Sequence, residues 1–286
     1  MPVSVVTDSV ASIPIDLVAE NEIDVVPLFI NDGESHRPET EIDLPTFYRR
    51  LADMTTLPTS SQPSVEALLG AFRRALQRGS DVVGVFVSSK MSGTYETARL
   101  AAEMSLSEFP GRRIELVDSE SNSMEEGFGA LAAAKAARAG AAIEWCVEAA
   151  RESLRRARFL FTPHTLEYLR RGGRIGGASA LIGGLLQIRP ILTVERGETQ
   201  QFARVRTQSR ALAEIARRFA DDVAAFGLAE VIVHYIADED LARAWSEQAI
   251  EPVVGGSVRV APVSPVVGLH TGPAVGVVYV TARDWA

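Results

Sequence analysis

Cysteine is nearly missing from this chain. Cys146 is the one thiol in 286 residues, which excludes an intramolecular disulfide and points to a reducing compartment. It lies in Ile143-Glu144-Trp145-Cys146-Val147, a helical pattern in which a buried, inert thiol is expected. Lysine is almost as scarce. With only Lys90 and Lys135 present, a Schiff-base lysine or a lysine phosphate clamp has few candidates, and arginine carries the cationic roles. The histidines His36, His164, His234 and His270 are far apart, so no metal-ligand spacing arises. Also missing are the Gly-x-x-x-x-Gly-Lys-Ser/Thr phosphate loop and the Gly-x-Ser-x-Gly elbow of the α/β-hydrolases. No apolar run is long enough to span a membrane, and the opening residues lack a signal-peptide pattern. A net charge of −8 has the wrong sign for a nucleic-acid footprint. The expectation is a cytoplasmic protein with no metal, no cofactor, no nucleic-acid partner and no stable membrane insertion.

What is present is a globular composition. With 47% hydrophobic and 23% charged residues, there is ample apolar surface for a core, and the length suits two domains. In the first half, residues 3–6, 24–30, 82–87 and 113–117 read as strands. Helical patterns cover 43–51, 65–76, 97–104, 127–142 and 144–156, with Ser64 a natural cap. Ser12, two residues before Pro14, reads as a further N-cap. Strands alternating with helices imply right-handed βαβ units and an open parallel sheet, which binds ligands beyond the carboxyl ends of its strands. Polar turns at 7–9, 88–94 and 118–119 lie at that edge, and the loop at 55–64 can reach it.

The second half has a different texture. Residues 158–161 form a strand, and 190–195 with 201–205 flank Arg196-Gly197-Glu198, a hairpin signal. Helical patterns cover 166–171, 212–219 and 240–250, and 178–187 reads as an apolar helix containing Leu181, Ile182, Leu185 and Leu186. Strands follow at 231–235, 258–260 and 275–280. The fold class is α/β: an N-terminal, mainly parallel open sheet with flanking helices over residues 1–160, and a C-terminal α+β domain over 161–286.

The stretch Ser88-Ser89-Lys90-Met91-Ser92-Gly93-Thr94-Tyr95-Glu96 joins a wholly apolar strand to a helix. A helix N-terminus leaves about four backbone N–H groups unpaired, and its dipole favours an anion. Ser92 and Thr94 add hydroxyls, and Gly93 lets a ligand approach the backbone. The same residues also serve as ordinary helix caps. In the second half, glycines and Pro273 around His270 suggest an aimed imidazole, or a satisfied histidine in a tight turn. His234 reads as structural. Arg170-Arg171-Gly172-Gly173-Arg174 is either a solvated helix end or an anion-facing surface, and residues 178–186 are either core or the lining of an apolar cavity.

Taken together, these pieces resemble the DegV family of bacterial fatty-acid-binding proteins. The likeness runs through Thr7-Asp8-Ser9, Ser60-Ser61-Gln62-Pro63-Ser64, Ser92-Gly93-Thr94-Tyr95, Val117-Asp118-Ser119, Leu166-Glu167-Tyr168-Leu169-Arg170-Arg171-Gly172-Gly173-Arg174, Arg189-Pro190-Ile191-Leu192 and His270-Thr271-Gly272-Pro273. It implies a carrier, not a catalyst, that holds one long-chain fatty acid between two domains, the tail in an apolar tunnel of the second. A separate fatty acid kinase would phosphorylate the bound carboxylate, feeding phospholipid metabolism. The carried-over head-group residues are Ser60 and Ser92, with Gly93, Thr94 and His270. Ser60 stands where the family has threonine, and Thr59 beside it could substitute. Arg174 and Arg206 are the candidates for facing the acyl-phosphate or the kinase. His164-Thr165 and His234-Tyr235 depart from the family's usual Asp-Asp and His-Gly. The competing reading is an enzyme acting on a small anion at the same elbow, with His270 as acid or base.

Overall fold

The computed structural model describes residues 1–33, 35–53, 57–181 and 188–285. It contains two compact units. The first comprises residues 1–41 and 59–155, the second residues 42–58 and 156–286. The division thus falls at residue 155 rather than 160, and one early segment belongs with the later half of the chain.

The first unit opens with β1 (Val3–Asp8), whose end is taken up at once by a 3-10 turn over Ser9–Ala11. Asp8 caps that turn by accepting from the Val10 amide, 2.9 Å. The expected role of Ser12 as a helix N-cap is therefore corrected. Ser12 closes the turn at a φ of 53°, and Pro14 takes the N-cap position of α1 (Ile15–Glu20). The apolar run at 24–30 is not one strand either. Pro27, which lacks an N–H and has a fixed φ, divides it into β2 (Asp24–Val26) and β3 (Phe29–Asn31), which enter different sheets. After β4 (His36–Pro38) the chain leaves this unit for α2 (Leu44–Asp53) and returns at β5 (Thr59–Ser61). A strand here replaces part of the expected loop, because residues 59–61 pair antiparallel with β3, Ser60 opposite Ile30.

α3 (Val65–Gln77), capped by Ser64, leads to β6 (Asp81–Phe86), every residue of which is buried. After Asp81 the strand is apolar, and such a run belongs in the middle of a covered parallel sheet, where it lies. Then follow α4 (Thr94–Glu108), β7 (Ile114–Asp118), α5 (Ser123–Arg138) and α6 (Ile143–Arg156). The parallel sheet has the order β2-β1-β6-β7. Leu68, Phe72, Leu76, Ala98 and Ala101 of α3 and α4 pack with Val6, Val82 and Phe86 in one core, while α5 packs on β1 and β6. Cys146 is fully buried on α6, and burial pushes its thiol pKa up.

In the second unit β8 (Ala157–Pro163) is followed by α7 (Glu167–Arg171) and the hairpin of β9 (Arg189–Glu195) and β10 (Glu198–Val205). Arg196 and Gly197 both have positive φ, 52° and 82°, as a tight hairpin turn requires. α8 (Gln208–Phe226), β11 (Leu228–Ile236), α9 (Glu239–Trp245), α10 (Glu251–Val254), β12 (Val260–Pro262), α11 (Pro265–Thr271) and β13 (Ala274–Thr281) complete it. The six strands run in the order β10-β9-β8-β13-β11-β12, antiparallel except for β11 with β12. Leu212, Ile215 and Phe219 of α8 and Trp245 of α9 pack on Val233, Val277 and Tyr279. Of the apolar helix expected over 178–187, residues 178–181 fall in a 3-10 segment instead, and 182–187 lie outside the described residues. The early segment joins this unit through Tyr48. Its hydroxyl donates to the carbonyls of Val263, 3.2 Å, and Ser264, 3.3 Å, and its ring lies on Gly268.

Candidate functional site

At the carboxyl end of the parallel sheet, the loop after β6 is held by its neighbours. The Val87 amide donates to the second carboxylate oxygen of Asp8, 3.0 Å, and the Ser88 amide to the Ser121 carbonyl, 2.8 Å. The Ser89 amide points at both oxygens of Asp118, 3.3 Å each. The chain then turns tightly, the amides of Met91 and Ser92 donating to the Ser88 carbonyl. This pinned loop carries the elbow.

In the elbow the hydroxyls of Ser92 and Thr94 are 2.8 Å apart, and the Thr94 amide reaches Ser92 Oγ at 3.3 Å. Gly93 occupies the N-cap position of α4, beside the Ser92 hydroxyl that takes the Thr94 amide. The glycine's lack of a side chain also makes room for a neighbour. A Cβ there would lie 2.2 Å from Gln62 Oε1, because the Gln62 amide is folded over the glycine. Gln62 Nε2 donates to Thr97 Oγ1, 2.7 Å, whose hydroxyl donates to the Gly93 carbonyl, 3.0 Å. The loop bearing Thr59 and half-buried Ser60 is thereby tied to the elbow bearing Ser92 and Thr94. These four hydroxyls share the first unit.

Beneath the elbow lie acids that residue type alone did not disclose. Asp8 and Glu126 are both 0% exposed. Burial, with the charge of Glu39 adding to it, pushes the Asp8 carboxyl up to about 7 against the two amides that lower it. Burial and the neighbouring Asp8 hold Glu126 well above the usual carboxylate range.

The remaining candidates lie in the second unit. His270 is in the last turn of α11, not in a tight loop, and Gly272 ends that helix at a φ of 69°. Its Nδ1 lies 2.3 Å from where a Cβ on Gly172 would be, so the ring rests on the end of α7. Burial, with the Arg174 charge, pushes His270 down to about 4, which leaves it neutral at pH 7 and a weak general base. Arg174 Nη1 donates to the Gly172 carbonyl, 2.5 Å. Arg170 and Arg171 both pair with Glu167 at the surface, 2.6 and 2.7 Å, the solvated arrangement. Arg206 is exposed in the bend between β10 and α8. His234 is buried, its Nδ1 3.0 Å from the Ala261 carbonyl.

A family profile described as Uncharacterised protein, DegV family, matches residues 2–282. The chain belongs to the DegV family. A DegV domain-containing protein of Clostridium acetobutylicum is 39% identical over 290 aligned residues, covering 99% of each chain. Another, from Streptomyces coelicolor, is 35% identical over 98% of this chain and 99% of its own. Among solved structures, the Thermus thermophilus DegV family protein, described for its fatty acid binding, superposes with a TM-score of 0.87. It has 32% identity and covers 98% of this chain and 100% of its own. Bacillus subtilis DegV, described as a fatty acid binding protein, gives 0.87 at 29% identity, with 98% and 99% coverage. Among the described residues of this DegV chain there is no cluster that could hold a metal ion and no helix long and apolar enough to cross a membrane.

Three of the residues that shape these clusters went unassigned by sequence reasoning: Gln62, Glu126 and Gly172. Gln62 stood within the Ser60-Ser61-Gln62-Pro63-Ser64 piece of the likeness, but with no role of its own. Glu126, followed by Gly127 in an alanine-rich helix, carried one faint signal, a charge in a stretch of small residues suited to close packing.

Proposed function

We propose that this DegV family protein is a non-catalytic carrier of long-chain fatty acid. The observation that carries the reading is its whole-length likeness to the Thermus and Bacillus fatty-acid-binding proteins. In this reading the carboxylate is held by Ser92, Gly93 and Thr94 at the start of α4, with Ser60 or Thr59 from β5, and His270 belongs to the same network. A carboxylate removed from water needs hydrogen bonds to offset its desolvation. Hydroxyls, backbone amides and a helix dipole supply them without an arginine. The tail is taken by the second unit, where each buried CH₂ contributes about 0.8 kcal/mol, so the apolar lining sets chain preference. The carrier works in the cytoplasm and presents its head group to a fatty acid kinase, with Arg174 and Arg206 facing the phosphate or the partner. His270, neutral and weakly basic, suits a hydrogen-bonding role better than acid–base catalysis.

The test is mass spectrometry of freshly purified, denatured protein. A co-purifying long-chain fatty acid near one per protein is the expected result. Lipid-free protein that also takes up neither palmitate nor oleate overturns the reading.

A further inference from the structure

The sheet end under the elbow is closed by acids. A sheet end can be closed with serine or asparagine, yet this one buries two carboxyls completely, Asp8 on β1 and Glu126 on α5. α5 packs on β1, and Glu126 Oε2 is buried there with no hydrogen-bond donor of its own, each carboxyl acting on the other's charge. Asp8 uses both oxygens on backbone donors, Val10 and Val87, the bonding pattern of a carboxylate. Glu126 accepts from the Thr7 hydroxyl, 3.3 Å, and is the member suited to carry a proton toward Asp8. The other charged groups acting on the pair are acidic as well: Glu39, after β4, on Asp8, and Asp118, at the end of β7, on Glu126. Glu39 is itself buried and accepts from the Ser9 hydroxyl, and the Asp118 carboxylate faces the Ser89 amide. Two ionised carboxylates cannot stay this close without a counter-charge.

We propose that Asp8 and Glu126 share a proton and act as positioning residues for the elbow, so that the grip on a carboxylate ligand tightens with the proton present and loosens when it leaves. This rests on the fatty-acid reading for its ligand. Two consequences of proton loss act in the same direction. Repulsion displaces Asp8, which holds the Val87 amide where the elbow chain departs from β6. A further buried negative charge also appears beneath the site that must receive a carboxylate.

The experiment measures palmitate and oleate dissociation constants from pH 6.5 to 9 for wild type and Glu126→Gln, with amide hydrogen exchange at Val10 and Val87 followed in the ligand-free proteins. The introduced side-chain amide keeps an acceptor for Thr7 and offers Asp8 an N–H that does not titrate. Wild type is expected to lose affinity several-fold across this range, and exchange at the two backbone amides, corrected for its intrinsic pH dependence, to quicken. Glu126→Gln should hold both nearly constant. Profiles that run parallel in the two proteins, or a flat wild-type profile, overturn the proposal. If neither acid binds wild type at any pH, the carrier reading fails. In that case a pH-dependent exchange difference still supports the shared proton, and its absence removes that too.

Discussion

The side-chain amide of Gln62 fills the space that a Cβ at Gly93 would take, its Oε1 2.2 Å from that position. The contact links the loop carrying Ser60 to the elbow carrying Ser92, and the hydrogen bond from Gln62 to Thr97 fixes it. Gly93→Ala must therefore push the amide away. Gln62 is the end of a flexible side chain, so the fold survives, at a cost of about 1 kcal/mol for the lost hydrogen bond. Gln62→Ala should cost about the same. In the double variant the two costs should not add, because the second change removes what the first displaces. Thermal or urea unfolding of the four proteins measures this, and simple additivity would contradict the coupling.

Ser92→Ala tests the head-group role proposed for the elbow. Ser92 is half-buried and its bond to the Thr94 amide is long, 3.3 Å, so stability should change by less than about 1 kcal/mol. A hydrogen bond to a carboxylate is worth about 1.5–3 kcal/mol, so fatty-acid affinity should fall roughly ten- to hundredfold. Equilibrium binding of a fluorescent fatty acid reads the change directly. Unchanged affinity would remove Ser92 from the head-group site.

The parallel sheet was legible because β6 is apolar from Val82 to its end, and a strand of that kind has few other places to go. Chain order also located the polar turns at its carboxyl end. The Asp8–Glu126 pair was not legible, since a carboxylate gives no sign in sequence of being buried, and its partner sits on a helix remote in the chain. For the same reason the packing of Gln62 over Gly93 was not legible, since the glutamine comes from a loop remote in the chain. The 24–30 run looked continuous because its composition suits a strand, and only the missing N–H and fixed φ of Pro27 separate it. Residues 43–51 read as a local helix, while the allegiance of this segment to the second unit depends on Tyr48 finding Gly268, a purely tertiary fact.

Arg206→Ala and Arg174→Ala should separate binding from presentation. Both guanidinium groups are exposed, so neither substitution should change stability by more than about 0.5 kcal/mol. Fatty-acid affinity should be retained within about twofold, a difference under 0.5 kcal/mol. Acyl-phosphate formation in the presence of a fatty acid kinase and ATP should fall for at least one of them. Full turnover by both variants would remove the arginines from the partner-facing role.

Acid stability gives a signed test of the second unit's core. Burial pushes His234 down to about 4 from an ordinary 6.5, with its Nδ1–H donating to the Ala261 carbonyl. Between those two values the unfolded chain binds the proton and the folded side chain does not, so stability rises with pH across the window and is lost on acidification from 6.5 toward 4. The buried Asp8–Glu126 pair, both carboxyls raised by burial, works the other way over an overlapping range, because there the folded state holds the extra proton. The wild-type profile is the sum of such opposing contributions, but the pair's contribution is common to a variant that alters only His234. His234→Phe keeps a buried ring next to Phe159, which packs edge-on to the imidazole at 6.4 Å. Wild type should therefore lose about 3 kcal/mol more than His234→Phe between pH 6.5 and 4, measured by urea unfolding at each pH. Two parallel curves would mean that His234 takes up its proton in the folded state near the ordinary value, and that burial on β11 does not hold it neutral.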